Sequence, residues 1–355
     1  MAPAAVHMRS RFGEPLTVRL MRPDDIEKFE QLAQRIQWDC GRHNVLLMYN
    51  CYPEGWRIVV NASGDIVAFL LHNRLSNGVI WAYEVMTRED YRNHGLTTLF
   101  DELPGGNFWT SPNAVMGSST AYSLRFFPTM FEIWLHTRIG AIGLIQPVMA
   151  ARAMRQRSHE REHVNNRQQQ LVKLVEITPK PLENENDQLQ LVRDVCAYDR
   201  EIIKIDRADF ISHWLTDQFP KQDSVQSDNT DDSHPLTISM AAYRMNSDSV
   251  NDKRLELLGY GVLRWYNRNY ALLPLYADND DTATALTLAL FSRLRRPTSV
   301  FLSALATRRC VHEWIAYFAM QVTEREVRNA NGRARAYAES LDMRRVYCTH
   351  EYWPV

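Results

Sequence analysis

"YRNHGLTTLF" occupies residues 91–100, with Arg92 three positions before Gly95 and Thr97 and Thr98 just after it. The stretch lies between an apolar, strand-like run, "GVIWAYEVMT" (78–87), and an amphipathic, helix-like one, "LTTLFDEL" (96–103). A helix N-terminus presents unpaired N–H groups and the positive end of a dipole, which together attract an anion. Gly95 lets a phosphate approach the backbone closely, Arg92 can flank it, and the threonine hydroxyls can donate to it. A single Arg-x-x-Gly can equally be a plain turn between strand and helix. The surroundings decide between the two.

Upstream, "LTVRLM" (16–21) reads as a strand, and "RPDDIEKFEQLAQRIQW" (22–38) as a helix opened by Pro23 and two acids that suit its positive end. A second helix in "GRHNVLLMYNCYPEG" (41–55) closes at Pro53 and Gly55. The runs "GWRIVVNA", "DIVAFLLHNRL" and "GVIWAYEVMT" are separated by "SGD" and "SNG", which predicts an antiparallel meander. Downstream come the helix at 96–103, a Gly/Pro/Asn-rich break (104–113), a short strand "AVMG", a helix "SSTAYSLRFF" and a strand "FEIWLHTRI".

Residues 151–170 are polar, basic and rich in helix formers, and read as a solvated connector helix. From "LVKLVEI" (171–177) the order repeats: two helices, three strands, a helix, "SVFLSAL", the helix "CVHEWIAYFAM", and a final strand "RVYCTHEYW". Within it, 221–235 is almost devoid of apolar residues and reads as disordered, as does the N-terminus, 1–15. The expected division is therefore a first domain over 16–150, the connector, and a second domain over 171–355.

At 355 residues and 45% hydrophobic, the chain has material for two ordinary cores. A net charge of −1 provides no field for nucleic acid or an anionic membrane. Five scattered cysteines without CxxC read as free thiols in a reducing compartment, and no segment reads as a signal or membrane span. A cytoplasmic protein is expected, with its oligomeric state open.

The order strand, two helices, three-strand meander, RxxGxT loop, helix, strand, helix, strand resembles the GCN5-related N-acetyltransferase (GNAT) superfamily. The wider pattern, with "YPEG" at 52–55 and "YDREIIKIDRADFISHW" at 198–214, is similar to two-domain bacterial acetyltransferases of the YitH type and a related nematode-expanded family. The resemblance implies a mixed α+β fold: two tandem domains, each a mostly antiparallel twisted sheet flanked by helices. It implies acetyl-CoA as co-substrate, its pyrophosphate held by the loop Arg92, Asn93, His94, Gly95, Leu96, Thr97 and Thr98. Thr97 stands where the family has glycine or alanine. The fourth strand is splayed, and the resemblance implies that Val85, Met86 and Thr87 pair there with the pantetheine arm.

For chemistry, the resemblance implies that Tyr122, in "YSLRFF", protonates the departing thiolate, although Phe126 replaces the family's glycine. A base must deprotonate the attacking amine. Glu84 is the candidate nearest on the strand, in a register the family seldom uses, with His72 and Tyr83 as fallbacks. Each of these residues also has a plain structural reading as a packed or surface side chain. "HEREH" (159–163) matches the zinc-peptidase signature, but its basic, polar neighbours would repel a cation, and no metal is expected. In the second half, "ADNDDTAT" (277–284) places Asp278, Asp280 and Asp281 where an anion loop would be, so this copy is expected to be degenerate. The functional expectation is an acetyl-CoA-dependent N-acetyltransferase acting by direct attack of an amine, on a small molecule or a protein. The alternatives are a catalytically inactive acyl-CoA-binding or protein-interaction module, and a purely structural protein.

Overall fold

The computed structural model describes residues 5–35, 42–74, 80–100, 114–116, 133–163, 171–177, 185–216, 237–245, 256–266, 269–330, 337 and 339–349. The chain forms two compact units. The first comprises Met1–His136, Glu326–Ser340 and Glu351–Pro354; the second comprises Thr137–Arg325, Leu341–His350 and Val355.

In the first unit, β1 (Ala5–Arg9), β2 (Pro15–Leu20), β3 (Trp56–Asn61), β4 (Ile66–Arg74), β5 (Ile80–Thr87), β6 (Ala114–Met116) and β13 (Gln321–Ala330, from Glu326 onward) follow one another in the order β1-β2-β3-β4-β5-β6-β13. All neighbours are antiparallel except β5 and β6. Along β2, Leu16 and Val18 are buried while Thr17 and Arg19 point away, the alternation of a half-covered strand. β3 and β4 are buried on both faces and read accordingly as unbroken apolar runs. The helix α1 (Ile26–Arg35) lays Ile26, Phe29, Leu32 and Ala33 against them, a single stripe at helical spacing. Phe29 meets Trp56 at 5.1 Å and Phe69 at 4.8 Å between ring centroids. The helix α2 spans Arg42–Cys51, and Gly55 follows where any side chain would strike the His72 carbonyl oxygen, 1.7 Å from the Cβ position. Tyr91, Leu96 and Phe100 join Leu16, Val18, Val67 and Leu70 in one core cluster. The quoted loop and the short helix α3 (Leu96–Leu99) are therefore pinned to the sheet at three points.

The second unit contains β7 (Ile133–Ile145, from Thr137 onward), α4 (Pro147–His163), β8 (Leu171–Ile177), α5 (Glu185–Ile203), α6 (Ala208–Thr216), β9 (Thr237–Met245), β10 (Leu257–Tyr266), β11 (Asn269–Ala277), α7 (Asp280–Ser292), β12 (Thr298–Leu305), α8 (Arg309–Tyr317) and β14 (Val346–Cys348). Its strand order is β7-β12-β14-β11-β10-β9-β8. Helix α7, "DDTATALTLALFS", is buried on nearly every side, its threonines bonding back to the previous turn. The junction of α5 and α6 is held by charge. Arg207 donates twice to Asp199 at 2.7 Å, and the pair is 99% shielded from solvent. Tyr260 donates to the same carboxylate, and Arg207 also donates to the Tyr276 hydroxyl at 3.2 Å. Burial and the neighbouring carboxylate keep Tyr260 protonated far above its ordinary range.

Three elements differ from expectation. Residues Ala5–Arg9, read as part of a disordered N-terminus, form β1, because their backbone pairs with β2 across five positions. Gln321–Ala330, "QVTEREVRNA", forms a strand that the sequence reading did not include. The connector helix begins at Pro147, a natural first helical residue, rather than 151, and its described part ends at His163. The expected disordered loop 221–235 lies outside the described residues.

Removing one partner from a buried ion pair strands the other charge, at a cost of about 3–5 kcal/mol. Asp199→Ala should lower the urea midpoint of the second unit accordingly. The double variant Asp199→Leu with Arg207→Met should recover most of the loss.

Candidate functional site

Strand β5 ends at Thr87, and the Arg88 N–H donates back to the Val67 carbonyl at 2.9 Å. A tight turn over Glu89–Tyr91 follows, held by Tyr91 N–H to Arg88 O (2.9 Å) and Arg92 N–H to Glu89 O (3.2 Å). Asn93 and Gly95 then adopt positive φ, 68° and 78°, which reverses the chain and starts α3 at Leu96. Asparagine and glycine are the residues that tolerate this conformation. Among the described residues, nothing lies within 4 Å of the Gly95 Cβ position.

Side chains fix the turn from beneath. Buried Tyr91 donates to Glu14 Oε1 at 2.7 Å and accepts from Asn61 Nδ2 at 3.1 Å. Burial, opposed by the Asn61 bond and reinforced by the Glu14 carboxylate, raises its pKa. Arg88 stacks over the Tyr91 ring at 4.7 Å and forms a two-point pair with Asp90 at 2.7 and 2.9 Å. The turn between β1 and β2 also supports the loop: Arg11 N–H donates to His94 O at 3.2 Å, and Phe12 meets the His94 ring at 4.6 Å. Arg92 is 57% exposed and 3.8 Å from Glu89. Buried Arg57 donates to Phe100 O at 2.6 Å and closes the far end of α3.

Beside the loop runs the edge of β5. Its described parallel pairing with β6 covers Ile80, Trp81 and Ala82. Its antiparallel pairing with β4 slips between Leu71 and His72 and then continues to Thr87. Tyr83 is the extra residue, a bulge that bends the strand. Beyond it Val85, Met86 and Thr87 are half-buried. The structure thus brings Val85–Thr87 and Arg92–Leu96 onto one continuous run of backbone. Glu84 lies on β5 opposite Leu71. The Glu84, Thr97 and Thr98 side chains and all of Tyr122 lie outside the described residues. His72 is buried on β4, opposite Ala82. Glu14, Asn61, Arg57 and Phe12 went unnoticed in the sequence. Only Glu14 had a signal, as a lone acid beside a predicted strand.

The second unit repeats this geometry up to a point. Tyr270, Ala271 and Leu272 of β11 pair in parallel with β12, and the β10 register slips between Gly261 and Leu263. The Asp278 N–H donates to Leu258 O at 2.9 Å, just as Arg88 does to Val67. Counting from these fixed points, Val85, Met86 and Thr87 correspond to Leu275, Tyr276 and Ala277, and Glu84 corresponds to Pro274. The following loop differs. Asn279 alone separates Asp278 from α7, and its side chain accepts the Thr282 N–H at 2.9 Å, capping the helix from within. His159 of "HEREH" is exposed on α4, and among the described residues no group of His, Cys, Asp or Glu is arranged to hold a metal.

Comparisons with known proteins bear on this geometry. Residues 238–347 match a family model described as "Acetyltransferase (GNAT) domain". No curated protein sequence matches the chain. Among solved structures, a protein from Pyrococcus horikoshii described provisionally as an acetyltransferase is similar over 96% of both chains, at 14% identity and a TM-score of 0.58. A tandem GNAT protein from the clavulanic acid biosynthesis pathway is similar over 93% of this chain and 98% of its own, at 8% identity and a TM-score of 0.51. A GCN5-related glucosamine N-acetyltransferase region of a fungal multi-domain GH3 β-N-acetylglucosaminidase is similar over 89% of this chain and 38% of its own, at 10% identity and a TM-score of 0.54. These likenesses show the fold: mixed α+β, GNAT-like, shared with a tandem GNAT protein, as expected from the order of elements.

Tyr91→Phe removes a hydrogen bond to a carboxylate, an interaction of about 1.5–3 kcal/mol. The variant should fold and lose roughly the lower of these values in urea unfolding, without a change in the denaturant slope.

Proposed function

We propose that the first unit binds acetyl-CoA and transfers its acetyl group to an amine, in the manner of the two-domain YitH-type proteins that the sequence resembles. The observation that carries the reading is the run from Val85 to Leu96. A half-buried strand segment beyond a bulge leads into a loop with two left-handed residues, Asn93 and Gly95, just before the helix that starts at Leu96.

The residues present fit such a co-substrate. The diphosphate would lie against the backbone at Asn93–Leu96, near the positive end of α3, with Arg92 beside it. The pantetheine arm is an extended chain with two amides, and main-chain groups of Val85, Met86 and Thr87 suit it as a strand suits a neighbour. During transfer, Glu84 takes the proton from the attacking amine, directly or through water. A β5 amide beside the bulge donates to the oxyanion. Tyr122 gives its proton to the departing thiolate. The C–N bond forms as the C–S bond breaks, and the products are the amide and the free thiol.

A thiol-release assay with acetyl-CoA and a panel of small amines and peptide N-termini tests this. Release should depend on the amine, and Gly95→Trp, which forces a bulky side chain onto a left-handed residue, should raise KM for acetyl-CoA at least about tenfold, the equivalent of one lost charged hydrogen bond. Tyr122→Phe should lower kcat by about a hundredfold, the usual scale for general acid catalysis. Thermal stabilisation by acetyl-CoA without turnover would instead indicate a binding module, and no stabilisation at all would remove both readings.

A further inference from the structure

In the second unit two parallel strands part, and the chain itself fills the wedge between them. Strands β11 and β12 are hydrogen-bonded as far as Leu272 and Leu302. Past that point β14 lies between them. Leu275 and Tyr276 pair with Cys348 and Val346 on one side, and Ala304 pairs with Cys348 on the other. The Thr349 N–H continues the ladder to Ser303 O at 2.8 Å. Leu275 and Tyr276 are the counterparts of Val85 and Met86, the residues assigned above to the pantetheine arm.

The inserted segment is dry and fastened at both ends. Val346, Tyr347, Cys348 and Thr349 are each at most 1% exposed. Arg308 donates to Val346 O at 3.0 Å and stacks on the Tyr347 ring at 4.7 Å. The Tyr347 hydroxyl donates at 2.7 Å to Asp280, the first residue of α7. Arg138 donates to the Thr349 hydroxyl at 2.7 Å, and Arg345 binds Asp278 at 2.7 Å. Burial drives the Cys348 thiol above its ordinary pKa, so it remains a neutral, packed group. The rest of the apparatus has been replaced in step. Pro274 stands at the Glu84 position, with neither a carboxyl group nor an N–H, and Asn279 already satisfies the helix end.

We propose that Val346–Thr349 permanently takes the place of a pantetheine arm in the second unit, so that the chain holds one acyl-CoA and this groove serves as a structural joint. The physical ground is that main-chain groups exposed by a splayed pair of strands must find partners. An extended peptide supplies the same alternating donors and acceptors as an extended amide-bearing thiol. Once that peptide is covalently attached and fully buried, a dissolved ligand cannot displace it without unpacking the core around α7 and α8. The count of one rests on the first-unit reading; the internal occupant of the second unit does not.

Two measurements on the full chain test this. Native mass spectrometry or titration calorimetry with acetyl-CoA should give one ligand per chain, and Gly95→Trp should weaken that binding at least about tenfold. Hydrogen exchange should find the Tyr276, Cys348 and Thr349 amides slow without ligand and unchanged at saturating acetyl-CoA. Two ligands per chain, an affinity left unchanged by Gly95→Trp, or ligand-dependent exchange at these amides would overturn the proposal. If no acetyl-CoA binds, the first-unit reading falls. The internal occupant then stands on slow exchange at these amides and falls if they exchange freely.

Discussion

Two parallel strands that part company leave backbone donors and acceptors facing a gap, and in the second unit the chain fills that gap with its own backbone. In the first unit the bulge at Tyr83 bends β5 just after its described pairing with β6 stops at Ala82. In the second, the slip opposite Gly261–Leu263 does the same to β11 after Leu272. Buried backbone groups left without partners cost more than any single side-chain contact gains. A wedge of this kind therefore has to be occupied. In the second unit the occupant is β14.

The loop makes the contrast sharper. Both units return the first residue after the strand to the sheet with the same 2.9 Å hydrogen bond. From there the second unit enters a helix at once, capped by Asn279 and flanked by acids, an arrangement that stabilises α7 and repels a phosphate. The first unit spends Glu89–Gly95 on a tight turn and two left-handed residues before its helix begins. Tyr91, Leu96 and Phe100 bury themselves so that this irregular backbone stays in one shape. Glu14 and Asn61 grip Tyr91 from the β2 and β3 side. A loop built this way is held in one shape by the core beneath it rather than by its own sequence.

Much of this was legible in the sequence. The meander β3–β5 was plain from "SGD" and "SNG" between β-branched runs, and α1 from its apolar stripe opened by Pro23. The acidic start of α7 could be read as a helix beginning, although the residue that caps it is Asn279 rather than one of the aspartates. Other features had no local signal. β13, "QVTEREVRNA", holds only Val322, Val327 and Ala330 as apolar residues, without alternation, so neither periodicity nor composition marks it. β1 is five residues long and owes its order to pairing with β2. The "YDRE…DR" pattern was visible as a resemblance, but that Asp199 and Arg207 form a buried, tyrosine-braced ion pair required the fold. Likewise "VYCT" says strand, yet nothing in it says which two strands it divides. Pairing partners are set by topology, which short-range sequence does not encode. The family match to residues 238–347 falls on the unit whose groove is closed, because such a match follows the residues that build the fold, while function rests on the site.

The most direct test of this account is a crystal structure of the chain grown with acetyl-CoA. The account predicts an extended pantetheine arm alongside Val85, Met86 and Thr87, with the diphosphate beside the loop Arg92–Leu96 and β14 unmoved. A coenzyme lodged against Leu275–Ala277 with β14 displaced, or a first unit that stays empty at saturating ligand, would contradict it.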